Sequence, residues 1–298
     1  MSLDDVKEKL KENFRGIYNI PEVISYIDEI TSIKIFKYRR LVLKVFYKKT
    51  DELDFNFIKK VLKRGGFLMK TKNLTINLIP SPALKIFNED EIMTGANINS
   101  GFTFLLRDEI FIFRKEEFPK VILHELIHHD LNIHNDNFSE INKRRLMEHF
   151  KISEDTTLIL NEAMIEMWAT IFQLAFISLD YGLEFRRLYM METMYSIYKS
   201  NQIKKNQEEK KNGIWRDNCN IYSYIIFKTI LLLNLNEFIK IYMYPTRYND
   251  TILTDFLIRH SNIPKIDNNP EYSLRIQGDL KEIKRPQTSL CFMLLSDL

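Results

Sequence analysis

The chain has 298 residues, of which 45% are hydrophobic and 28% are charged, and its formal net charge at pH 7 is +3. These values are ordinary for a globular protein and exclude the strong positive field by which many proteins bind nucleic acid or an anionic membrane. Two cysteines, Cys219 and Cys291, exclude a disulfide framework. The first residues lack a signal-peptide pattern, and the apolar runs are shorter than the roughly 18 residues of a transmembrane helix. We therefore expect a soluble protein of the cytoplasm.

Helices and strands are both predicted in the first 115 residues. Pro21 fits the first turn of a helix, where its missing N–H costs nothing, and Gly65-Gly66 fits a helix end. Runs rich in β-branched and aromatic residues predict strands, the last two paired around a turn at Arg107-Asp108. The predicted helices cover 2–14, 21–30 and about 54–64, and the predicted strands cover 41–49, 74–80, 99–106 and 109–114. This order favours a twisted sheet with helices packed on it.

Helices dominate the remainder of the chain. The first follows strand 109–114 almost at once, with Glu116 and Glu117 near its positively polarised start and Pro119 in its first turn. Ser153 is a suitable N-cap for a long helix further on. The later helices are predicted over 138–150, 154–179, 183–202, 218–234 and 236–243, with a charged, solvated loop over 204–213. The last 30 residues have no pattern from which an element can be assigned.

The segment His124-Glu125-Leu126-Ile127-His128 lies inside the first of these helices and has the spacing HExxH. Histidines four apart share one face of a helix, about 6 Å apart along its axis, so both imidazoles can reach one metal ion. Zinc lowers the pKa of a bound water to roughly 7, and Glu125 is placed to take its proton. The plainer interpretation is a helix with two hydrogen-bonded histidines. The helical, apolar context favours the alternative, a site for one Zn²⁺ with Glu125 as the catalytic base.

A catalytic zinc ion generally takes three protein ligands and a water, so a third ligand is needed. Glu162 on the next long helix is one choice, and Glu166, four residues later on the same face, could brace a ligand histidine. An exposed polar stripe would be the plainer interpretation, but apolar residues surround the two glutamates. His134 is the other choice, because HELIHHDLNIH has the histidine spacing of HExxHxxGxxH. Leu131 stands where that pattern has glycine and would have to adopt a costly left-handed conformation, so we prefer Glu162.

HELIH followed by NEAMIE (161–166) resembles the gluzincins, the thermolysin-like zinc peptidases with HExxH on one helix and ExxxD on the next. The resemblance covers about 99–175 specifically. It implies that His124, His128 and Glu162 are the zinc ligands and that Glu166 stands where the family commonly has aspartate. It also implies that the strand beginning NSGFTF holds an extended peptide and that a tyrosine or histidine stabilises the oxyanion. The order of strand pair and helix also resembles uncharacterised metallopeptidases of large DNA viruses.

The oxyanion donor is the one role for which the sequence does not choose a residue. Its candidates are Tyr181, Tyr222, Tyr224 and His260. Each of them, taken singly, also has a simple structural explanation.

The expected fold class is α+β and zincin-like, with an N-terminal twisted sheet and helices, then the active-site helix, then a mainly α-helical lobe. We assign 1–115 to the N-terminal lobe, 116–260 to the active-site helix and helical lobe, and 261–298 to a C-terminal extension, together one catalytic unit. The expected function is hydrolysis of peptide or protein substrates. The alternatives are a zincin-fold binding protein without turnover, a metzincin-like site that uses His134, and a helical interaction protein without metal.

Overall fold

The computed structural model describes residues 2–14, 20–68, 73–87, 92–104, 107–131, 138–243, 248–266 and 268–298. Within these ranges the chain is a mixed α+β protein, as its sequence predicts. The helices are α1 Leu3–Phe14, α2 Pro21–Asp28, α3 Phe55–Leu68, α4 Gly95–Ile98, α5 Phe118–Leu131, α6 Glu140–Phe150, α7 Leu160–Tyr181, α8 Phe185–Glu209, α9 Lys228–Leu233, α10 Leu235–Ile241 and α11 Asp250–Arg259. The strands are β1 Ser32–Tyr38, β2 Leu41–Tyr47, β3 Leu74–Leu78, β4 Gly101–Phe104, β5 Glu109–Ile112, β6 Tyr272–Ile276 and β7 Asp279–Ile283.

The chain divides into two compact units. The first contains residues 1–85 and 95–132 together with Asp297, and so holds strands β1 to β5 and helices α1 to α5. The second contains 86–94, 133–296 and Leu298, and so holds helices α6 to α11 and the hairpin of β6 and β7. The helix that carries HELIH therefore belongs to the same unit as the sheet.

The sheet of the first unit has five strands in the order β1-β2-β3-β5-β4. Strand β3 is parallel to both of its neighbours, while β1 and β4 are antiparallel to β2 and β5. The strand pair predicted around Arg107-Asp108 is thus present as β4 and β5. Because β4 pairs with β5 on one side only, it forms one edge of the sheet as described.

Each face of this sheet is covered by a pair of helices. Residues of α3 and α5 pack with alternate side chains of β2, β3 and β5 on one face. Residues of α1 and α2 pack on the other face, around Phe46, Phe111 and Phe113. Since the side chains of a strand alternate between faces, β5 contributes Ile110 and Ile112 to the first core and Phe111 to the second. The burial of both faces explains why the sequences of β2 and β5 are mostly apolar.

Gly65-Gly66 does not end α3, which continues to Leu68, so the predicted helix end is wrong. Both glycines are buried. A Cβ atom at Gly65 would lie 2.7 Å from Leu126 Cδ1, and one at Gly66 would lie 2.5 Å from the ring of Tyr38. The two glycines therefore allow α3 to approach α5 and β1 closely, which is a tertiary requirement that local turn chemistry does not report.

Helix α7 is the longest apolar helix of the second unit. It has 22 residues and reaches the length and hydropathy of a membrane-spanning helix, but 61% of its most apolar window is buried inside the protein. A core helix of a soluble protein meets the same criterion, and this degree of burial is what such a helix shows. The predicted start of α7 after Ser153 is wrong, because Ser153 begins a turn closed by the Thr156 N–H and the helix itself begins at Leu160.

The charged segment 204–213 was predicted as a loop, but its residues 204–209 are helical because α8 continues to Glu209. Gln207 gives the physical reason. Its side-chain amide is buried and donates hydrogen bonds to the carbonyl oxygens of Phe150 and Lys151 at the end of α6. A helix end needs such donors, and here a distant helix supplies them. The sequence did not predict β1, α4, α11 or the hairpin of β6 and β7.

Candidate metal centre

Helix α5 has one face turned toward the sheet. Phe118, Val121, Ile122 and Leu126 form this face and lie in the core shared with β2, β3 and β5. Their spacing of three or four residues is that of a buried helical stripe. Glu125 falls within the angular range of this stripe, about 100° around the helix axis from His124 and about 60° from His128. The motif therefore directs its base and its imidazoles to different surroundings.

His124 and His128 are one helical turn apart, and their rings meet. Their Nε2 atoms are 3.2 Å apart and their ring centroids are 4.9 Å apart. Two nitrogens bound at about 2.05 Å to a tetrahedral zinc ion would be about 3.3 Å apart. His124 is buried and His128 is partly exposed. The pair is thus spaced as two ligands of one ion, before any third ligand is considered.

Glu125 lies against the edge strand. Its side chain is buried, with 7% of the residue exposed, and its Oε2 accepts a hydrogen bond of 2.5 Å from the hydroxyl of Thr103 on β4. A charge-assisted hydrogen bond of this kind is among the stronger ones in proteins. The bond fixes one oxygen of the carboxylate to the sheet.

His129 makes the equivalent contact one turn further along α5. Its Nε2 is 3.1 Å from Oδ1 of Asp108, in the turn between β4 and β5. Asp108 has a left-handed backbone (φ 47°), a conformation that aspartate tolerates better than most residues. Two polar contacts, Thr103 with Glu125 and Asp108 with His129, therefore join α5 to the β4–β5 hairpin.

Glu162 lies in the first turn of α7 and is partly exposed. It belongs to the second unit, whereas His124 and His128 belong to the first. Two imidazoles and a carboxylate, with water in a fourth position, are a ligand set that catalytic zinc sites use. The three residue types fit Zn²⁺ in their chemistry, and the two histidines also have the spacing of two ligands of one ion.

Glu166 lies four residues after Glu162 and is 1% exposed. It is surrounded on α7 by the buried side chains of Met164, Ile165 and Met167. Glu166 therefore does not belong to an exposed polar stripe. A carboxylate so fully removed from water requires hydrogen-bonding or charged partners, which is the situation of a group that braces a metal ligand.

A buried ion pair lies just before α5. Lys85 Nζ is 2.6 Å from Glu117 Oε2, and both side chains are almost completely inaccessible to solvent. The backbone of Glu117 is left-handed (φ 60°), and its N–H donates to Oδ1 of Asp297. The Lys85 backbone N–H in turn donates to Glu116. These contacts fix the point at which the chain enters the helix.

His134, the other predicted third ligand, lies outside the described residues. Two of the predicted oxyanion donors make other contacts. The hydroxyl of Tyr222 is in the core beside Gln207, and burial raises its pKa well above the ordinary value. His260 Nε2 lies 3.3 Å from the carboxylate of Glu237.

Thr103 contacts Glu125 but was not singled out from the sequence. The alternation of side chains along β4 predicts that Thr103 and Gly101 lie on the same face of the strand. It does not predict which of the two faces packs against α5. Only the pairing of Thr103 with Ile110, a residue of the α5-facing core, shows where the hydroxyl points.

Searches against protein-family models, curated proteins and solved structures find no match to this chain.

Proposed function

We propose that this protein is a zinc-dependent peptidase with a zincin-like fold, in which His124, His128 and Glu162 hold the metal. The observation that carries the proposal is the convergence of the two HExxH imidazoles on α5, whose Nε2 atoms are 3.2 Å apart, as two ligands of one zinc ion would be. A mixed sheet with an antiparallel edge strand beside the HExxH helix agrees with it. Cytoplasmic localisation belongs to the same proposal.

The residues divide the chemistry among them. When bound, zinc supplies a Lewis acid that polarises a carbonyl group and lowers the pKa of a coordinated water to roughly 7. Glu125, next to His124 in the chain, accepts the proton of the attacking water and passes it to the leaving amine. Its burial keeps this proton transfer away from bulk solvent. Glu166 braces a ligand histidine, the role that outer-shell carboxylates have in zinc sites.

The proposed substrate is an extended peptide. Strand β4 is an edge of the described sheet, where it pairs with β5 alone. A peptide chain added to such an edge is held by main-chain hydrogen bonds, largely independent of its sequence. The same strand carries Thr103, which contacts Glu125, so a peptide on this edge would lie beside the proposed base.

The test compares the wild-type protein with Glu125→Gln, using zinc analysis by mass spectrometry and a library of internally quenched peptides. We expect one zinc ion per chain in both proteins and hydrolysis that is about 10²–10⁴-fold slower in the variant than in the wild type. Full activity in the variant would contradict the mechanism. A wild type that binds zinc without hydrolysing any peptide would support a binding protein, and one that binds no metal would support an interaction protein.

A further inference from the structure

Strand register places Thr103 against the HExxH helix. Thr103 is paired with Ile110 across the antiparallel β4–β5 ladder, and Ile110 lies in the core with α5. Directly paired residues point to the same face of a sheet, so the Thr103 side chain also points toward α5. There its hydroxyl meets Oε2 of Glu125 at 2.5 Å.

Gly101 makes this contact geometrically feasible. It lies two residues before Thr103, on the same face of β4, and is buried. A Cβ atom at Gly101 would lie 2.8 Å from Ile112 Cδ1, 3.0 Å from the carbonyl oxygen of Phe111 and 3.0 Å from Val121 Cγ1 on α5. A side chain at this position would crowd both the neighbouring strand and Val121 of α5. The absence of one lets the helix approach closely enough for a short side chain such as threonine to reach the glutamate.

We infer that Thr103 is a positioning residue for Glu125, an inference that rests on the proposed function. Its hydroxyl donates to one carboxylate oxygen and leaves the other oxygen to accept a proton. A carboxylate side chain rotates easily about its last bond. The hydrogen bond to the sheet restricts that rotation and holds the proton-accepting oxygen in one direction.

The contribution of Thr103 is therefore to kcat rather than to substrate binding. A reacting group displaced by about 1 Å can lose about 10²-fold in rate. The one proton that the Thr103 hydroxyl can donate goes to Glu125 on the α5-facing side, so its removal acts on the base. Its backbone, on the edge of the sheet, is unchanged by substitution of the side chain.

The test measures kcat, KM and zinc content for Thr103→Val, Thr103→Ser and Thr103→Ala. Valine has the shape of threonine without the hydroxyl, while the serine and alanine variants both lack the methyl group and differ in the hydroxyl alone. We expect Thr103→Val and Thr103→Ala to lower kcat by about 10–100-fold, with KM changed less than about twofold and zinc retained. Thr103→Ser should restore kcat to within about threefold of the wild type.

Either of two results would overturn the inference: wild-type kcat in the valine and alanine variants, or equal losses in serine and alanine. If the valine variant does not fold, the serine and alanine pair still decides. The outcome is separable from that of the proposed function. An inactive Glu125→Gln together with a fully active Thr103→Val rejects the role of Thr103 alone, whereas an active Glu125→Gln rejects the proposed function.

Discussion

The polar side chains of α5 form two pairs, one suited to binding a metal ion and one in contact with the β4–β5 hairpin. His124 and His128 are one turn apart, and their Nε2 atoms converge to 3.2 Å. Glu125 and His129 are also one turn apart, and both contact the β4–β5 hairpin. Adjacent residues of a helix point about 100° apart, so one short motif can direct a metal-binding pair and a sheet-bound pair to separate faces. The metal geometry and the position of the base are thus set on one rigid element.

Single substitutions at Glu162 and His134 test which residue is the third zinc ligand. Glu162→Ala should weaken zinc binding by more than about 100-fold, since loss of an outer-shell partner alone costs 10–100-fold. His134→Ala is the matched variant for the alternative ligand and should leave the affinity unchanged. Both affinities can be measured by competition with a chromophoric chelator. If His134→Ala lost zinc and Glu162→Ala kept it, the site would be metzincin-like instead.

Packing between elements decides how α5 is held. The apolar stripe of the helix is buried against β2, β3 and β5, and Gly65 and Gly101 allow α3 and β4 to approach it closely. The start of the helix is held differently, by the buried ion pair of Lys85 and Glu117. Such a pair fixes a position in the chain but gains little net stability over an apolar pair of similar volume.

Removing one partner of this ion pair is expected to be costly. Lys85→Met would leave the Glu117 carboxylate buried without its ammonium partner, and we expect a loss of about 3–5 kcal/mol in the free energy of unfolding. The double variant Lys85→Met, Glu117→Gln removes both charges and should recover part of that loss. Urea denaturation followed by far-UV circular dichroism is the suitable measurement, because Trp168 and Trp215 both belong to the second unit. Equal stability of Lys85→Met and the wild type would show that the pair is not buried as described.

At the scale of the whole molecule, the final segment of the chain is held inside the second unit by buried side chains. The carboxylate of Glu192 accepts hydrogen bonds from the backbone N–H groups of Leu294 and Leu295. The hydroxyl of Tyr195 donates to the carbonyl oxygen of Cys291, and Lys199 donates to that of Gln287. An irregular segment can be buried because these polar side chains satisfy its backbone.

Lys199 makes the stability of the second unit depend on pH. Burial lowers the pKa of its ammonium group from 10.5 to about 8, opposed by the nearby Cys291. Between these two values the unfolded chain binds more protons than the folded one, so the free energy of unfolding rises with pH. Below about pH 8 both states are protonated and the cost of burial is constant.

Between pH 8 and 10.5 the free energy of unfolding of the wild type should therefore rise by up to about 3 kcal/mol relative to that of Lys199→Met. One unit of difference in pKa is worth about 1.4 kcal/mol. The methionine variant keeps the aliphatic stem and loses the titrating group, so all other titrations cancel in the comparison. Tryptophan fluorescence in urea follows the second unit, which contains both tryptophans. Parallel pH profiles of the two proteins would contradict a lowered pKa at Lys199.

The sequence by itself determined the features that depend on neighbours along the chain. The α+β class, the β4–β5 pair and the helix around HELIH follow from periodicity and local propensity, and the i, i+4 spacing of His124 and His128 already defines their common face. Glu162 could be named only by its motif context, since nothing local fixes its distance from the histidines.

Only the tertiary structure decided the features that depend on register and packing. The contact of Thr103 with Glu125 requires the β4–β5 register and the close approach of α5 at Gly101. Gly65-Gly66 inside α3 and the polar segment inside α8 departed from prediction for the same reason. In each case the residue type usually occurs at a helix end or in a loop, but here it contacts residues far away in the sequence. The free energy of those contacts exceeds the local preference against a helix.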